Sequence, residues 1–332
     1  MSNPSQLEGL ERLVFDVVTA LVKPLFAFNQ YDSFLYWPFL AAALILAVLV
    51  FLSHRRDGEG NFFKRYFSRR IWGHVSARAD YKFYYVNGVL FPVIFAPLII
   101  SGAWIGGLLE NGLTALGGAM DQGTGTLTTI AYTLVFFLAY DFGRFLAHYV
   151  QHRFDILWHF HKVHHSAEVL TPFTAFRVHP LDLILMASFP AFTTGVVNGV
   201  FNYWSGGTAG FHLFFGLHAL IFIYNLIGNL RHSHAWLSYG PVINRIFISP
   251  AQHQIHHSVE ERHWGQNIGF AFAFWDRMFG TLYLPEGHEQ FDMGLGDGTE
   301  GRYHSIKGMY WQPIRDLFGQ GGGSHGLPRS DG

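Results

Sequence analysis

The sequence predicts an all-α integral membrane protein, a bundle of about four to five transmembrane helices with a cytoplasmic helical cap carrying a histidine-rich dimetal site. Three observations predict it. Half of the 332 residues are hydrophobic and only 14% are charged, with a mean hydropathy of +0.18. Several uncharged apolar runs are long enough to cross hydrocarbon. The chain also holds 20 histidines against 22 Lys plus Arg, where histidine is ordinarily roughly one residue in fifty.

The elements follow in order. Residues 7–28 mix Leu, Val and Phe with Glu8, Glu11, Arg12, Asp16 and Lys23, the pattern of an interfacial amphipathic helix rather than a span. They lack the basic start and small-residue cleavage pattern of a signal peptide, so residues 1–35 form an N-terminal interfacial segment. The membrane-embedded domain, 36–285, begins with an uncharged run at 36–52. A second run, 84–109, contains Pro92 and Pro97, which kink it. The third, 127–140, continues through Asp141 and Arg144 to His152, so it leaves the bilayer with polar groups on one face. Runs four and five, 183–204 and 209–230, flank Ser205-Gly206-Gly207 and read as a helical hairpin. The tail 286–332 is polar and ends GQGGGSHGLPRSDG, a partly disordered segment.

Charge sets orientation and excludes partners. Between runs one and two lie Arg55, Arg56, Lys64, Arg65, Arg69, Arg70, Arg78 and Lys82, whereas 110–126 has no Lys or Arg. The first loop is therefore cytoplasmic, and counting spans brings every histidine cluster to that same face. A net charge of −1 gives no electrostatic case for nucleic acid. With no cysteine, a metal site must use His, Asp and Glu.

The chemistry lies in the histidine spacing. His148 and His152 are four apart on a continuing helix, on one face and within reach of a common ion. His161, His164 and His165, and again His253, His256 and His257, are related by three and four. On a helix each triplet projects into one sector. One such pair arises readily by chance in a histidine-rich chain; two H-x-x-H-H boxes plus the pair do not. Eight imidazoles exceed the four of one tetrahedral ion, so two metals fit. Ligand type alone leaves iron and zinc both open.

The stretches HYVQH, HFHKVHHS after Leu157-Trp158, RVHPLD, LRHSH, SPAQHQIHHS and WDRMFGTLYLP resemble the sterol desaturase and fatty acid hydroxylase superfamily of membrane di-iron enzymes over roughly residues 141–285. The resemblance implies His148, His152, His161, His164, His165, His253, His256 and His257 as ligands of two Fe ions, with Zn an occupant as purified and O2 a co-substrate. It adds His179, His232 and His234 as further ligands. Asp141 and Asn229 are expected to orient ligands by hydrogen bonding, with an Asp141–Arg144 ion pair as the alternative. Asp276 and Arg277 either cover the metal face or pair with each other. His159 faces away from the box, and His212 and His218 hydrogen-bond between helices.

The implied activity is hydroxylation or desaturation of an unactivated C–H position of a lipid; the boxes do not separate the two outcomes. No flavin, haem or iron–sulfur motif is present, so electrons come from a partner such as a cytochrome b5-like protein or a ferredoxin and reductase, with the basic first loop as a docking face. The alternatives are a dizinc membrane hydrolase and a metal transporter.

Overall fold

Apolar helices and their small-residue contacts build the frame on which the histidines sit. The computed structural model describes residues 9–54 and 61–319. In chain order these form α1 (Gly9–Val22), α2 (Trp37–His54), α3 (Phe62–Tyr66), α4 (Arg69–Trp72), α5 (Val75–Leu90), α6 (Gly102–Gly117), α7 (Thr126–Arg153), α8 (Asp155–His165), α9 (Pro180–Ser205), α10 (Ala219–Gly228), α11 (Gly240–Ile243), α12 (Pro250–His256), α13 (Phe274–Phe279) and α14 (Ile306–Phe318). One short antiparallel ribbon, β1 (Leu213–Phe214) with β2 (Leu217–His218), pairs Leu213 with His218.

Three stretches among the described residues are long and apolar enough to cross a bilayer: Val75–Gly117, Thr126–Arg153 and Pro180–Ser205. The first is not straight. At Pro92 the α-helix passes into a π turn, Phe91–Phe95, and at Pro97 into a 3-10 turn, Ala96–Leu98, before α6 begins. The prolines lack the N–H that an unbroken ladder requires. The run at α2 makes a shorter apolar helix. The expected fifth span does not form: α10 has only 10 residues, about 15 Å of rise, and 209–218 is irregular chain and ribbon. Gly206, Gly207 and Gly216 all take positive φ there, as does Phe215 at 50°, which ends helical continuation.

α9 is the hub. Gly102 and Gly106 of α6 face Gly195 and Gly199 of α9, so closely that a Cβ on Gly195 would lie 2.6 Å from the Gly102 carbonyl oxygen. Small residues four apart on both partners let the backbones touch, the packing mode available where no hydrophobic drive exists between helices. On its other side α9 meets α7, where a Cβ on Gly143 would lie 2.5 Å from Pro190 Cα. α7 has 28 residues, about 42 Å, against a hydrocarbon core of about 30 Å. It is thus longer than that core, and His148 and His152 stand in its last two turns.

Further helices pack around that end of α7 and the histidine helix that follows it. Arg177, fully buried, donates to Asp80 Oδ1 at 2.7 Å, to the Val163 carbonyl at 2.9 Å and to the Tyr303 carbonyl at 3.1 Å. One guanidinium thus ties α5, the C-terminal end of α8 and the segment before α14. Lys162 of α8 pairs with Asp316 of α14, and Tyr303 and Met309 join Phe83 and Trp158 in one core. Part of the polar tail is consequently folded structure against a histidine helix. The expectation of disorder at 320–332 lies outside the described residues, as do Leu7, Glu8, Arg55 and Arg56. α1 buries none of its residues and exposes Leu10, Leu13, Val14, Val17 and Val18.

Candidate metal centre

Nine buried histidines gather into two groups. His148, His152, His161, His165 and His256 form one, and His164, His232, His253 and His257 the other; within each, the ligand-capable nitrogens lie within 4.8 Å of one another. The expectation that each H-x-x-H-H box points into a single sector is corrected here. Successive helical residues turn by about 100°, so positions i and i+4 stay together while i+3 diverges. On α8, His161 and His165 serve the first group and His164 the second. On α12 the assignment reverses: His253 and His257 serve the second group and His256 the first.

The nitrogens have the geometry of a coordination shell. In the first group His148 Nε2 lies 3.0 Å from His161 Nε2, 3.0 Å from His256 Nε2 and 3.3 Å from His152 Nε2. In the second, His232 Nε2 lies 3.4 Å from His164 Nε2 and 3.1 Å from His253 Nε2. Ligands about 2.1 Å from a shared ion are about 3.0 Å apart in octahedral and about 3.4 Å in tetrahedral arrangement.

Hydrogen bonds on the far side of the rings fix which nitrogen is bare. His148 Nδ1 meets the Ile268 carbonyl at 2.6 Å, His256 Nδ1 the Gln266 carbonyl at 2.7 Å, and His161 Nδ1 the Asp182 carboxylate at 2.9 Å. All three partners only accept, so Nδ1 carries the proton and Nε2 presents a lone pair. Three lone pairs therefore converge at hydrogen-bonding distance with no hydrogen between them, which is repulsive unless a cation sits among them. Burial, reinforced by neighbouring imidazoles, also disfavours protonation: His164 and His256 are pushed down to about 3, and His165, His232, His253 and His257 lie well below the ordinary range. At neutral pH the rings are in the ligating form.

The other predicted site residues fall into place differently. His232 joins the second group. His179 stands apart: its Nδ1 caps α9 by accepting from Leu181 N at 3.1 Å, and its Nε2 turns to the Tyr310 carbonyl. His234 is exposed, with its ring toward the Leu170 backbone, outside both groups. The short turn after α10 explains the split in LRHSH, because in extended chain residues two apart need not share a direction. Asp141 touches neither a ligand nor Arg144. Its carboxylate accepts from Ala271 N, Phe272 N and Trp275 Nε1 at 2.7–3.2 Å. Asp276 likewise accepts from Ile268 N, Gly269 N and Thr281 Oγ1 and is not paired with Arg277. Burial pushes its carboxyl up to about 7. Together these two acids fold the 266–272 loop that offers the carbonyl of Ile268 to His148. Asn229 donates to the Phe34 carbonyl at 2.7 Å and so anchors the turn that carries His232.

Asp182, among the described residues the one carboxylate on a ring of the two groups, escaped the sequence reading. It stands in the quoted RVHPLD, in the first turn of α9, with 1% exposure; a carboxylate opening an apolar helix is the signal that marks it. The carbonyls of Ile268 and Gln266 carry no sequence signal. A small cavity of about 20 Å³, about the size of one small molecule, lies against His152, His165 and His256, walled by Trp158, Trp264 and Leu295.

Comparison with known proteins gives a consistent answer. A model of the fatty acid hydroxylase family matches residues 133–281, the stretch holding all nine histidines. The chain is 29% identical over 158 residues to an ornithine lipid hydroxylase of Rhizobium tropici, covering 47% of this chain and 43% of that one. It is 31% identical over 153 residues to a Delta(7)-sterol 5(6)-desaturase of Gibberella zeae, 46% and 38% of the two chains. To the alkylglycerol monooxygenase of Homo sapiens it is 29% identical over 151 residues, 44% and 29%. The matched part thus spans less than half the length of these relatives. No solved structure matches the chain.

Proposed function

We propose, because its histidine-bearing segment matches a fatty acid hydroxylase family model and resembles lipid hydroxylases and a sterol desaturase, that this chain belongs to the sterol desaturase and fatty acid hydroxylase superfamily and is a multi-pass membrane oxidoreductase. It uses O2 and external electrons to hydroxylate or desaturate an unactivated C–H position of a lipid. The observation that carries the reading is the convergence of Nε2 lone pairs from His148, His161 and His256 beside a second four-histidine group. The ligands are His148, His152, His161, His165 and His256 for one ion and His164, His232, His253 and His257 for the other.

Two iron ions held there supply the redox chemistry that C–H cleavage needs. The chain's own contribution is geometry and exclusion. α7, α8 and α12 fix ring positions within a rigid cap. Asp182 and the carbonyls of Ile268 and Gln266 lock three tautomers and raise ligand basicity. Trp158, Trp264 and Leu295 confine the space beside the first group to about 20 Å³, keeping bulk water out. The centre faces the cytoplasm, where the basic residues Lys64, Arg65, Arg69 and Arg70 meet the electron donor, a cytochrome b5-like protein or a ferredoxin and reductase.

The test joins metal analysis of protein purified without added metal to oxygen consumption with reductant and a membrane lipid extract. Two irons per chain and lipid-dependent, reductant-dependent oxygen uptake are expected. Retained zinc with oxygen-independent ester cleavage would overturn the reading.

A further inference from the structure

A second polar feature lies in an open groove of the bundle, away from the histidine groups. Between α7, α9 and the segment 211–221 is a cavity of about 730 Å³, lined mostly by apolar side chains and within the roughly 300–1,000 Å³ of ordinary ligand sites. Tyr140, Thr194, Arg144 and His218 break that lining, and the last two carry polar atoms left without partners. His218, 4% exposed, stacks on Phe136 and lies tilted against Phe211, with ring centroids 5.0 Å away in each case; its ring lies toward the Thr133 backbone, and neither of its ring nitrogens has a hydrogen-bond partner of normal geometry. Arg144 has its Nε buried and unpartnered, and its Nη1 reaches only the Met186 carbonyl, at 3.4 Å.

The charge has no direct ion-pair partner as well. Arg144 and Arg231 each set a guanidinium 4.7 Å from the centre of the Phe270 ring, and among the described residues neither forms a salt bridge. The acid nearest in sequence, Asp141, spends both oxygens on Ala271, Phe272 and Trp275. A half-buried guanidinium beside an apolar cavity, with its Nε buried and unpartnered and no carboxylate in ion-pair contact, is suited to an anion that completes it. A buried imidazole whose nitrogens lack well-formed hydrogen bonds is a further unmet demand for a polar partner. Phe136, against which His218 stacks, and Arg144 are eight residues apart on α7, about 12 Å along its axis.

We propose that this cavity binds a single fatty acyl chain carrying an acidic group, seated at Arg144, and a mid-chain oxygen, hydrogen-bonded by His218. The ligand class is thus an oxygen-bearing fatty acid or its acidic derivative. The choice of a lipid rests on the functional reading above; the two-point recognition does not.

Ricinoleate and oleate test it, since they differ only by a mid-chain hydroxyl. Binding of each to the purified full chain is measured by native mass spectrometry, without oxygen or reductant, alongside metal content. The wild type prefers ricinoleate by about tenfold, the worth of one buried hydrogen bond. His218→Phe keeps the ring stacking, abolishes that preference and leaves oleate binding and metal content unchanged; with two unpaired nitrogens gone, it also melts higher than wild type without lipid. Arg144→Gln weakens both ligands together and preserves the preference. Equal wild-type affinity for the two lipids, or a preference surviving in His218→Phe, overturns the proposal. Selective binding without any turnover would sink only the oxygenase reading, and turnover without selective binding only this one.

Discussion

Asp182→Asn tests how the first metal position is held. The carboxylate is 1% exposed and lies 2.9 Å from His161 Nδ1, itself on a ring that is almost fully buried. A hydrogen bond to a charged group is worth about 1.5–3 kcal/mol and a neutral one about 0.5–1.5 kcal/mol. Neutralising the acceptor while keeping its shape therefore removes about 1–1.5 kcal/mol, or about tenfold in affinity for an ion bound at His161 Nε2. Asp182→Ala removes the bond outright and leaves the tautomer free, for a loss of up to about a hundredfold. The effect is confined to one ion, because the Nε2 of His161 faces His148 and His165 while the second group draws on His164, His232, His253 and His257.

The assay loads the protein with metal, titrates it with a competing chelator and counts retained ions by mass spectrometry. One ion leaves at about tenfold lower chelator in Asp182→Asn and lower still in Asp182→Ala, and the other leaves as in wild type. Far-ultraviolet dichroism confirms that helicity is unchanged. If both ions in Asp182→Ala resist chelator as they do in wild type, the carboxylate is not tuning a ligand, and the tautomer argument for the centre fails with it.

Other consequences follow from neighbouring features. His256→Ala should empty the first position and His164→Ala the second, each abolishing oxygen uptake while the protein still fractionates with membranes; full turnover by either would exclude that ring from the site. Arg177→Met strands the buried Asp80 carboxylate and should cost about 3–5 kcal/mol, read as a lowered melting temperature that Asp80→Asn in the same chain partly restores. Gly143→Leu drives a side chain into the Pro190 backbone, so α7 must move off α9; an overpacking cost of about 1–3 kcal/mol with loss of metal retention is expected, and an unchanged melting curve would contradict the close crossing. His179 is held neutral by burial, at about 4 against an ordinary 6.5. Below pH 6.5 the unfolded chain takes up a proton that the folded one refuses, so stability falls as the pH drops toward 4, by up to about 3 kcal/mol. His179→Asn keeps a capping acceptor and should flatten that part of the stability profile.

What was legible in the sequence was whatever repeats with the period of one helix. The apolar runs read correctly where they are continuous, as in α7 and α9, and the kink at Pro92 and Pro97 was visible because proline removes a donor wherever it stands. The run at 209–230 misled because composition does not reveal backbone conformation: Gly210 and Gly216 punctuate it, and Phe215 takes a positive φ that only the folded context supports. Eight of the nine gathered histidines were visible as boxes, and His232 was among the further candidates. His179 and His234 are indistinguishable from it by residue type; only the direction of a short turn and a helix cap decide that one ring reaches the centre and two do not. The tertiary acceptors on Nδ1, two of them backbone carbonyls, leave no trace in side-chain identity.

The two-box arrangement has a geometric reason. A single H-x-x-H-H box on one straight helix sends two rings to one side and one ring to the other, about 100° away, so it serves two ions unequally. With α8 giving His161 and His165 to the first group and α12 giving His253 and His257 to the second, the inequality is reversed between the boxes and the pair contributes three rings to each position. The remaining asymmetry comes from elsewhere: α7 adds His148 and His152 on one side, whereas the turn after α10 adds His232 alone on the other. Five rings stand in the first group and four in the second, and the first also carries the carboxylate-backed His161 and the carbonyl-backed His148 and His256. The centre is therefore built as two unlike sites, which is why the loss of one ion should be separable from the loss of the other.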